Sequence, residues 1–89
     1  MPYIEQKDRQ PFIPPLNLLS DVVAARGFSL GELTYVLSMI AKLYLLKHGK
    51  SFVTICMIMG AFLCAALEFY RRVAVPYEDK KINLNGDCY

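Results

Sequence analysis

The 89 residues suffice for one domain at most, and a chain of this length buries only roughly 60–65% of its unfolded surface. Hydrophobic residues make up 55% of the chain, more than so small a globule can cover, so other copies of the chain or a membrane must cover the excess. The net charge of +2 is too small to indicate DNA binding by electrostatics alone.

The first segment, residues 1–12, is predicted to be an extended arm. Two prolines disfavour regular helix there, and several charged side chains keep the segment solvated. Tyr3, Ile4 and Phe12 could anchor the arm on the body of the protein or on a neighbouring subunit; otherwise the arm is disordered. The segment has no apolar core, so we expect no signal peptide. Residues 13–89 are predicted to form a single helical domain.

Two helices are predicted in the first half of this domain. Helix one covers about residues 14–26, with prolines in its first turn and Gly27 as its C-terminal stop. Helix two covers about residues 30–48 and begins with an S-x-x-E capping box formed by Ser29 and Glu32. It is apolar on two sides, which indicates that it packs between neighbouring helices.

Helix three is predicted to start at Ser51 and to continue to about Val75. From Phe52 to Leu67, here called the apolar stretch, it carries no charge. These sixteen residues span about 24 Å, less than the roughly 30 Å of a bilayer core, so a membrane span is not favoured. Pro76 is predicted to end helix three and to open a short final helix, which Asn-Gly-Asp turn chemistry terminates.

Small residues recur at a spacing of four along the apolar stretch, at Cys56, Gly60 and Cys64. This spacing puts them on one helical face and allows another helix to approach closely. We predict that this face is the interface of a homo-oligomer, most simply a dimer. The two cysteines cannot bridge each other within one helix and are predicted to be buried, reduced thiols, which favours a cytoplasmic location.

The sequence contains no recognisable catalytic or metal-binding motif. It lacks the G-x-S-x-G motif of serine hydrolases, the H-E-x-x-H motif of zinc proteases and the GxxxxGK[ST] motif of phosphate-binding loops. Its single histidine, His48, lies at the predicted C-terminus of helix two, where the helix dipole favours a cation. We therefore expect a non-enzymatic protein with no catalytic residues, no metal and no cofactor.

A dense polar segment, EFYRRVAVPYEDKK, follows the apolar stretch. One interpretation is a site for a small anionic or nucleotide ligand, since guanidinium groups bind anions in a fork and tyrosines stack. Its predicted residues are Tyr70, Arg71, Arg72, Tyr77 and Lys80.

The other interpretation of this segment is a structural lock. In that case Arg71 or Arg72 pairs with Glu78 or Asp79 and fastens the last turn back onto helix three. Glu68 precedes the two arginines by three and four residues, so ion pairs within the helix are also expected.

Several strings in the chain resemble a known family. The segment GAFLCAALEFYRRVAVPYEDKKINLNGD, the opening MPYI and the string GELTY are similar to a family of small phage and prokaryotic proteins of unknown function with the signature EFYRRxxxPYEDxKIxxNGD. The resemblance covers nearly the whole chain, which departs from the family by being more apolar through residues 53–66. It implies a phage or prophage accessory protein in the bacterial host cytoplasm. An anti-defence role follows only by analogy with small phage proteins that sequester cyclic nucleotides.

These patterns together predict an all-α, oligomeric small helical bundle. It contains a short helix one, an antiparallel hairpin of helices two and three, and a short C-terminal helical turn. The leading functional hypothesis is a homo-oligomeric protein that binds a small anionic or nucleotide ligand and does not bind DNA. The alternatives are a structural or protein-interaction module that acts on a host protein and, less favoured, a small membrane protein.

Overall fold

The computed structural model describes residues 3–89, which contain no strand, and this confirms the all-α class. A 3₁₀ helix precedes four α-helical segments, and a π-helical turn joins the last two. The elements are the 3₁₀ helix Gln6–Phe12, α1 at Ile13–Arg26, α2 at Leu30–His48, α3 at Phe52–Phe69, the π turn Tyr70–Ala74 and α4 at Val75–Asn85.

Contacts divide the chain into two compact units, Met1–Ser38 and Met39–Tyr89, and their boundary falls inside α2. The single helical domain of residues 13–89 stays a prediction. The contacts between elements of the described chain join the 3₁₀ helix to α1 and the π turn to α3 and α4. The antiparallel packing of α2 on α3 and the oligomer stay predictions.

In the first unit, the residues predicted to be an extended arm include the 3₁₀ helix Gln6–Phe12, so that prediction is wrong for this part. The bonds of a 3₁₀ helix are local and need no tertiary partner; for example, the Asp8 N–H donates to the Glu5 carbonyl at 2.9 Å. The fixed φ of Pro11 also suits 3₁₀ geometry. Residues 1 and 2 of the predicted arm lie outside the described residues.

The predicted boundary between helices one and two is confirmed. Gly27, at φ 82°, ends α1, and its N–H donates to the Val23 carbonyl at 2.8 Å. The capping box then opens α2: the Ser29 N–H donates to Glu32 Oε1 at 2.9 Å, and the Glu32 N–H donates to Ser29 Oγ at 3.1 Å. Arg26 also forms an ion pair with Glu32. Short-range capping chemistry therefore defines this turn.

In the second unit, α3 begins where Ser51 was predicted to start it. Ser51 is the N-cap residue, and its Oγ accepts a hydrogen bond from the Thr54 N–H at 3.1 Å. The Ser51 hydroxyl also donates to Thr54 Oγ1 at 3.1 Å. The only polar side chain inside the apolar stretch is therefore hydrogen-bonded within its own turn.

The prediction that Pro76 ends helix three is wrong. Val75, the residue before it, has helical backbone angles (φ −61°, ψ −51°), and one helix continues from Phe52 to Asn85 over 34 residues. The π turn directly before Pro76 shifts the backbone bonding, so that the Val75 N–H donates to the Tyr70 carbonyl, five residues earlier. Pro76 then occupies the first turn of α4, where its missing N–H is tolerated.

This 34-residue helix is long and apolar enough, by length and composition alone, to cross a membrane. One such helix is weak evidence for a membrane protein, because a core helix of a soluble protein passes the same test. Its uncharged part is still the apolar stretch, which ends at Leu67 before the charged residue Glu68. The longer helix therefore adds charged residues and no further uncharged length.

No hydrophobic residue is buried among residues 3–89, and Thr54, at 6% exposure, is the one buried residue in that range. Cys56 and Cys64, which were predicted to be buried, are exposed. The neighbours of these two cysteines along the helix are apolar, as predicted. Burial also requires a second layer of side chains, and among residues 3–89 none covers this part of α3. Residues 3–89 by themselves form helices without a buried hydrophobic core.

We predict that Ser29→Ala lowers the stability of α2 by about 1 kcal/mol, because it removes the side-chain acceptor of the capping box. Ser29→Asp keeps an acceptor oxygen and should retain most of the stability. Urea unfolding followed by circular dichroism measures both variants. Equal midpoints for the alanine variant and the wild type would contradict the assigned cap.

Candidate functional site

One carboxylate binds both arginines of the predicted site. Glu68 Oε1 accepts hydrogen bonds from Arg71 Nη2 at 2.8 Å and from Arg72 Nε at 2.6 Å. The helical spacing of three and four residues brings these groups together, as the sequence predicts. We call Glu68, Arg71 and Arg72 the arginine cluster. The predicted lock with Glu78 or Asp79 does not form, because the helix continues past Pro76 and its last turns do not fold back onto α3.

The arginine cluster has an excess of positive charge, since one carboxylate faces two guanidinium groups. Hydrogen bonds from Arg71 and then Arg72 hold the pKa of Glu68 below its ordinary value of 4.5. The bond to Glu68 in turn raises the pKa of Arg71. The two arginine side chains are 66% and 60% exposed, and each bond to Glu68 uses one N–H group of its guanidinium. Their other donors can therefore bind an anion.

The predicted tyrosines and lysine are arranged differently from the arginines. Tyr70 and Tyr77 are exposed. Lys81 Nζ lies 5.4 Å from the centroid of the Tyr77 ring, which is within cation–π distance. The residue over this ring is thus Lys81, which was not among the predicted site residues, and the role of Lys80 stays a prediction. The spacing of four between Tyr77 and Lys81 is the sequence signal that could have identified this pair.

The π turn changes which residues share a face of the long helix. Its hydrogen bonds connect residues five apart, whereas those of α3 and α4 connect residues four apart. Arg72 and Tyr77 are five residues apart across this turn, so the Tyr77–Lys81 pair lies nearer to the side of Arg72 than it would in an unbroken α-helix. An unbroken α-helical repeat would rotate the second pair away from the first.

The predicted interface residues Cys56, Gly60 and Cys64 all lie on α3. A Cβ atom added to Gly60 would meet nothing within 4 Å, and both cysteines are exposed. Their face is therefore open in the isolated chain. Its role as an interface stays a prediction.

His48 is the last residue of α2, and its ring lies 4.1 Å from that of Tyr44, one turn earlier. The predicted position of this histidine at the C-terminus of helix two is confirmed, and its role there stays a prediction. Within residues 3–89 no group of three or more histidine, cysteine or acidic side chains is placed to hold a metal ion.

A surface groove of about 660 Å³ lies in the first unit, between the 3₁₀ helix and the start of α1. The predicted anchors Tyr3, Ile4 and Phe12 line it together with Ile13 and Leu16 of α1. The N-terminal segment therefore contacts the beginning of its own α1, and docking on another subunit stays a prediction.

We predict that Arg71→Gln raises the pKa of Glu68 toward 4.5, because the largest cause of its lowered pKa is the hydrogen bond from Arg71. A carboxyl group whose pKa is lowered by folding stabilises the folded state at pH values above its pKa in the unfolded state. This stabilisation is lost as the pH falls through its pKa in the folded state. NMR titration of the Glu68 carboxyl carbon measures the shift. Arg26→Gln is the control: it should raise the pKa of Glu32 and leave that of Glu68 unchanged. The reverse result would contradict the assigned pairing.

Comparison with known proteins identifies a family but no characterised relative. No curated protein and no solved structure matches the chain. The family model described as "Domain of unknown function (DUF6899)" matches residues 1–88. Because this match spans nearly the whole sequence, the chain belongs to the DUF6899 family.

Proposed function

We propose that the protein is a non-enzymatic helical homo-oligomer whose copies cover each other's apolar helices, and that it binds a small anionic ligand of the nucleotide type at the arginine cluster. One observation supports the proposed homo-oligomer: no hydrophobic residue is buried between residues 3 and 89, although 55% of the chain is hydrophobic. The proposal includes a phage or prophage accessory role in the bacterial cytoplasm, which the family resemblance suggests.

The exposed area supports a large interface. The chain exposes 8020 Å². A folded monomer of 10.1 kDa exposes about 5300 Å², so the excess is about 2700 Å² per chain. Obligate interfaces bury roughly 2000–5000 Å² or more in total over both partners. Covering this excess by a second copy would therefore give an interface of the obligate kind.

The polar side chains of the apolar helices also support burial against another copy. The Thr34 hydroxyl donates to the Leu30 carbonyl at 2.9 Å, and the Ser38 hydroxyl donates to the Thr34 carbonyl at 2.8 Å. In α3 the hydroxyl of Thr54 is bonded to Ser51. Burying a hydroxyl that already has a partner avoids most of the cost of removing it from water. These helices can therefore be covered without leaving these groups unsatisfied.

The arginine cluster supports the choice of an anionic ligand. Its two exposed guanidinium groups share one carboxylate, and the Tyr77–Lys81 pair follows within the next two turns of the same helix. Guanidinium forks bind phosphate oxygens in pairs, and a tyrosine ring can stack on a base. In a symmetric oligomer each copy would supply one such cluster, so basic sites recur although the net charge per chain is only +2.

Specific observations favour two other functions. The bonds from Glu68 to both arginines favour a purely structural cluster within a module that binds a host protein. The exposed 34-residue helix favours a small membrane protein. The first alternative predicts that loss of an arginine weakens the fold and has no effect on a ligand. The second predicts that the protein sediments with membranes and needs detergent.

We predict that Gly60→Leu weakens self-association about tenfold or more, because the new side chain would occupy the space into which a neighbouring helix packs. Leucine is a better helix former than glycine, so the isolated helix should not suffer. Met59→Leu, the same final residue one position earlier, is the control and should keep the assembly. Size-exclusion chromatography with light scattering measures both. A monomeric wild type, or a Gly60→Leu variant that assembles normally, would oppose the proposal.

We also predict that the protein binds members of a panel of nucleotides and cyclic dinucleotides, and that Arg72→Gln weakens binding about tenfold or more. Isothermal titration calorimetry measures the affinity. Arg26→Gln removes one paired arginine outside the cluster and should leave binding unchanged. Absence of heat with every compound would overturn the ligand proposal. Dissociation or unfolding of Arg72→Gln would instead indicate a structural role.

A further inference from the structure

We infer that two copies of this chain pack α3 against α3 in antiparallel orientation and cross at Gly60. This inference rests on the proposed homo-oligomer and adds the surface and the orientation. The partner is a second copy of this chain, because the excess of about 2700 Å² of exposed area per chain matches an obligate interface.

Gly60 lies at the centre of the surface that needs cover. The apolar stretch runs from Phe52 to Leu67, and these two end residues are 81% and 59% exposed. A helix that crosses at Gly60 overlaps the stretch almost equally on both sides. A crossing nearer either end would leave part of the stretch in water and bring charged residues into the contact.

Nothing in its own chain requires a glycine at position 60. An added Cβ would meet no atom within 4 Å, and Gly60 is not among the residues with positive φ. In mid-helix a glycine costs about 1 kcal/mol relative to alanine. Cys56 and Cys64 lie one turn on either side and are also small and exposed. These residues leave a shallow surface on which a second helix axis can come close.

Charge decides between the two orientations. A parallel crossing would place the two arginine clusters side by side, and each has more positive than negative charge. An antiparallel crossing at Gly60 puts the two Arg71 residues about 33 Å apart along the helix axis, at 1.5 Å per residue. That is well beyond the screening length of about 10 Å in dilute salt. Antiparallel helix dipoles also attract each other.

The antiparallel crossing has a symmetric consequence for the thiols. Cys56 and Cys64 are each four residues from Gly60. Cys56 of one copy therefore lies level with Cys64 of the partner subunit, and the same pair recurs on the other side of the two-fold axis. In a parallel crossing, each cysteine would instead lie level with its own counterpart.

Crosslinking with a short bis-maleimide tests the orientation, in a Cys88→Ser background that removes the thiol of the C-terminal tail. With both Cys56 and Cys64 present, we expect covalent dimers. The single-thiol variants Cys56→Ser and Cys64→Ser should each give none, and co-expression of the two should restore a crosslinked heterodimer. Light scattering on every sample reports the oligomeric state independently of the crosslink.

The outcomes separate this inference from the proposed assembly. A dimer whose single-thiol variants crosslink to themselves would overturn the antiparallel orientation and leave the assembly intact. A dimer in which no cysteine pair crosslinks would overturn α3 as the interface. A monomer in solution, or a protein that needs detergent, would overturn the proposed assembly and this inference together.

Discussion

The absence of a second layer over the helices is the constraint on which the rest of this protein depends. α2 and α3 are apolar enough to be core helices, yet most of their large side chains remain exposed, and Thr54 is the only buried residue among residues 3–89. Hydrophobic burial is the dominant favourable term in folding, and local helix formation alone is marginal in water. In the proposed oligomer, the second copy that covers these helices supplies this burial.

The arginine cluster is tied to this constraint because it lies on the same helix as the apolar stretch. The helix continues through the π turn and past Pro76 without a break. The distance between the apolar stretch and the arginine cluster is therefore set by helical geometry and not by a flexible joint. Any partner that packs on α3 determines where the cluster lies in the assembly.

The local electrostatics of the cluster suit either of its two proposed roles. Glu68 orders both arginine side chains, which reduces the entropy that a ligand would have to remove on binding. The same bonds neutralise part of the positive charge. Exposed ion pairs contribute little to stability, so a purely structural cluster would gain little from this arrangement. The excess charge and the Tyr77–Lys81 pair are the features on which the proposal of an anionic ligand rests.

Much of this structure could be predicted from the sequence because its signals act within a few residues. Ser29, Gly27 and Ser51 mark helix ends through hydrogen bonds to neighbouring turns. The pairing of Glu68 with both arginines follows from helical spacing alone. The Tyr77–Lys81 contact is equally local, but the predicted site contained the neighbouring Lys80 and not Lys81.

Other features depended on more than local chemistry. The helix continues past Pro76 because a π turn precedes it, and the spacing of apolar residues does not reveal such a turn. The burial of Cys56 and Cys64 could not be read from their apolar neighbours, because burial requires a second layer and not just a hydrophobic helix. The sequence by itself determined the helices, their caps and the local ion pairs. Only the tertiary structure decided that this chain leaves its apolar helices uncovered, because burial depends on contacts between segments far apart in sequence.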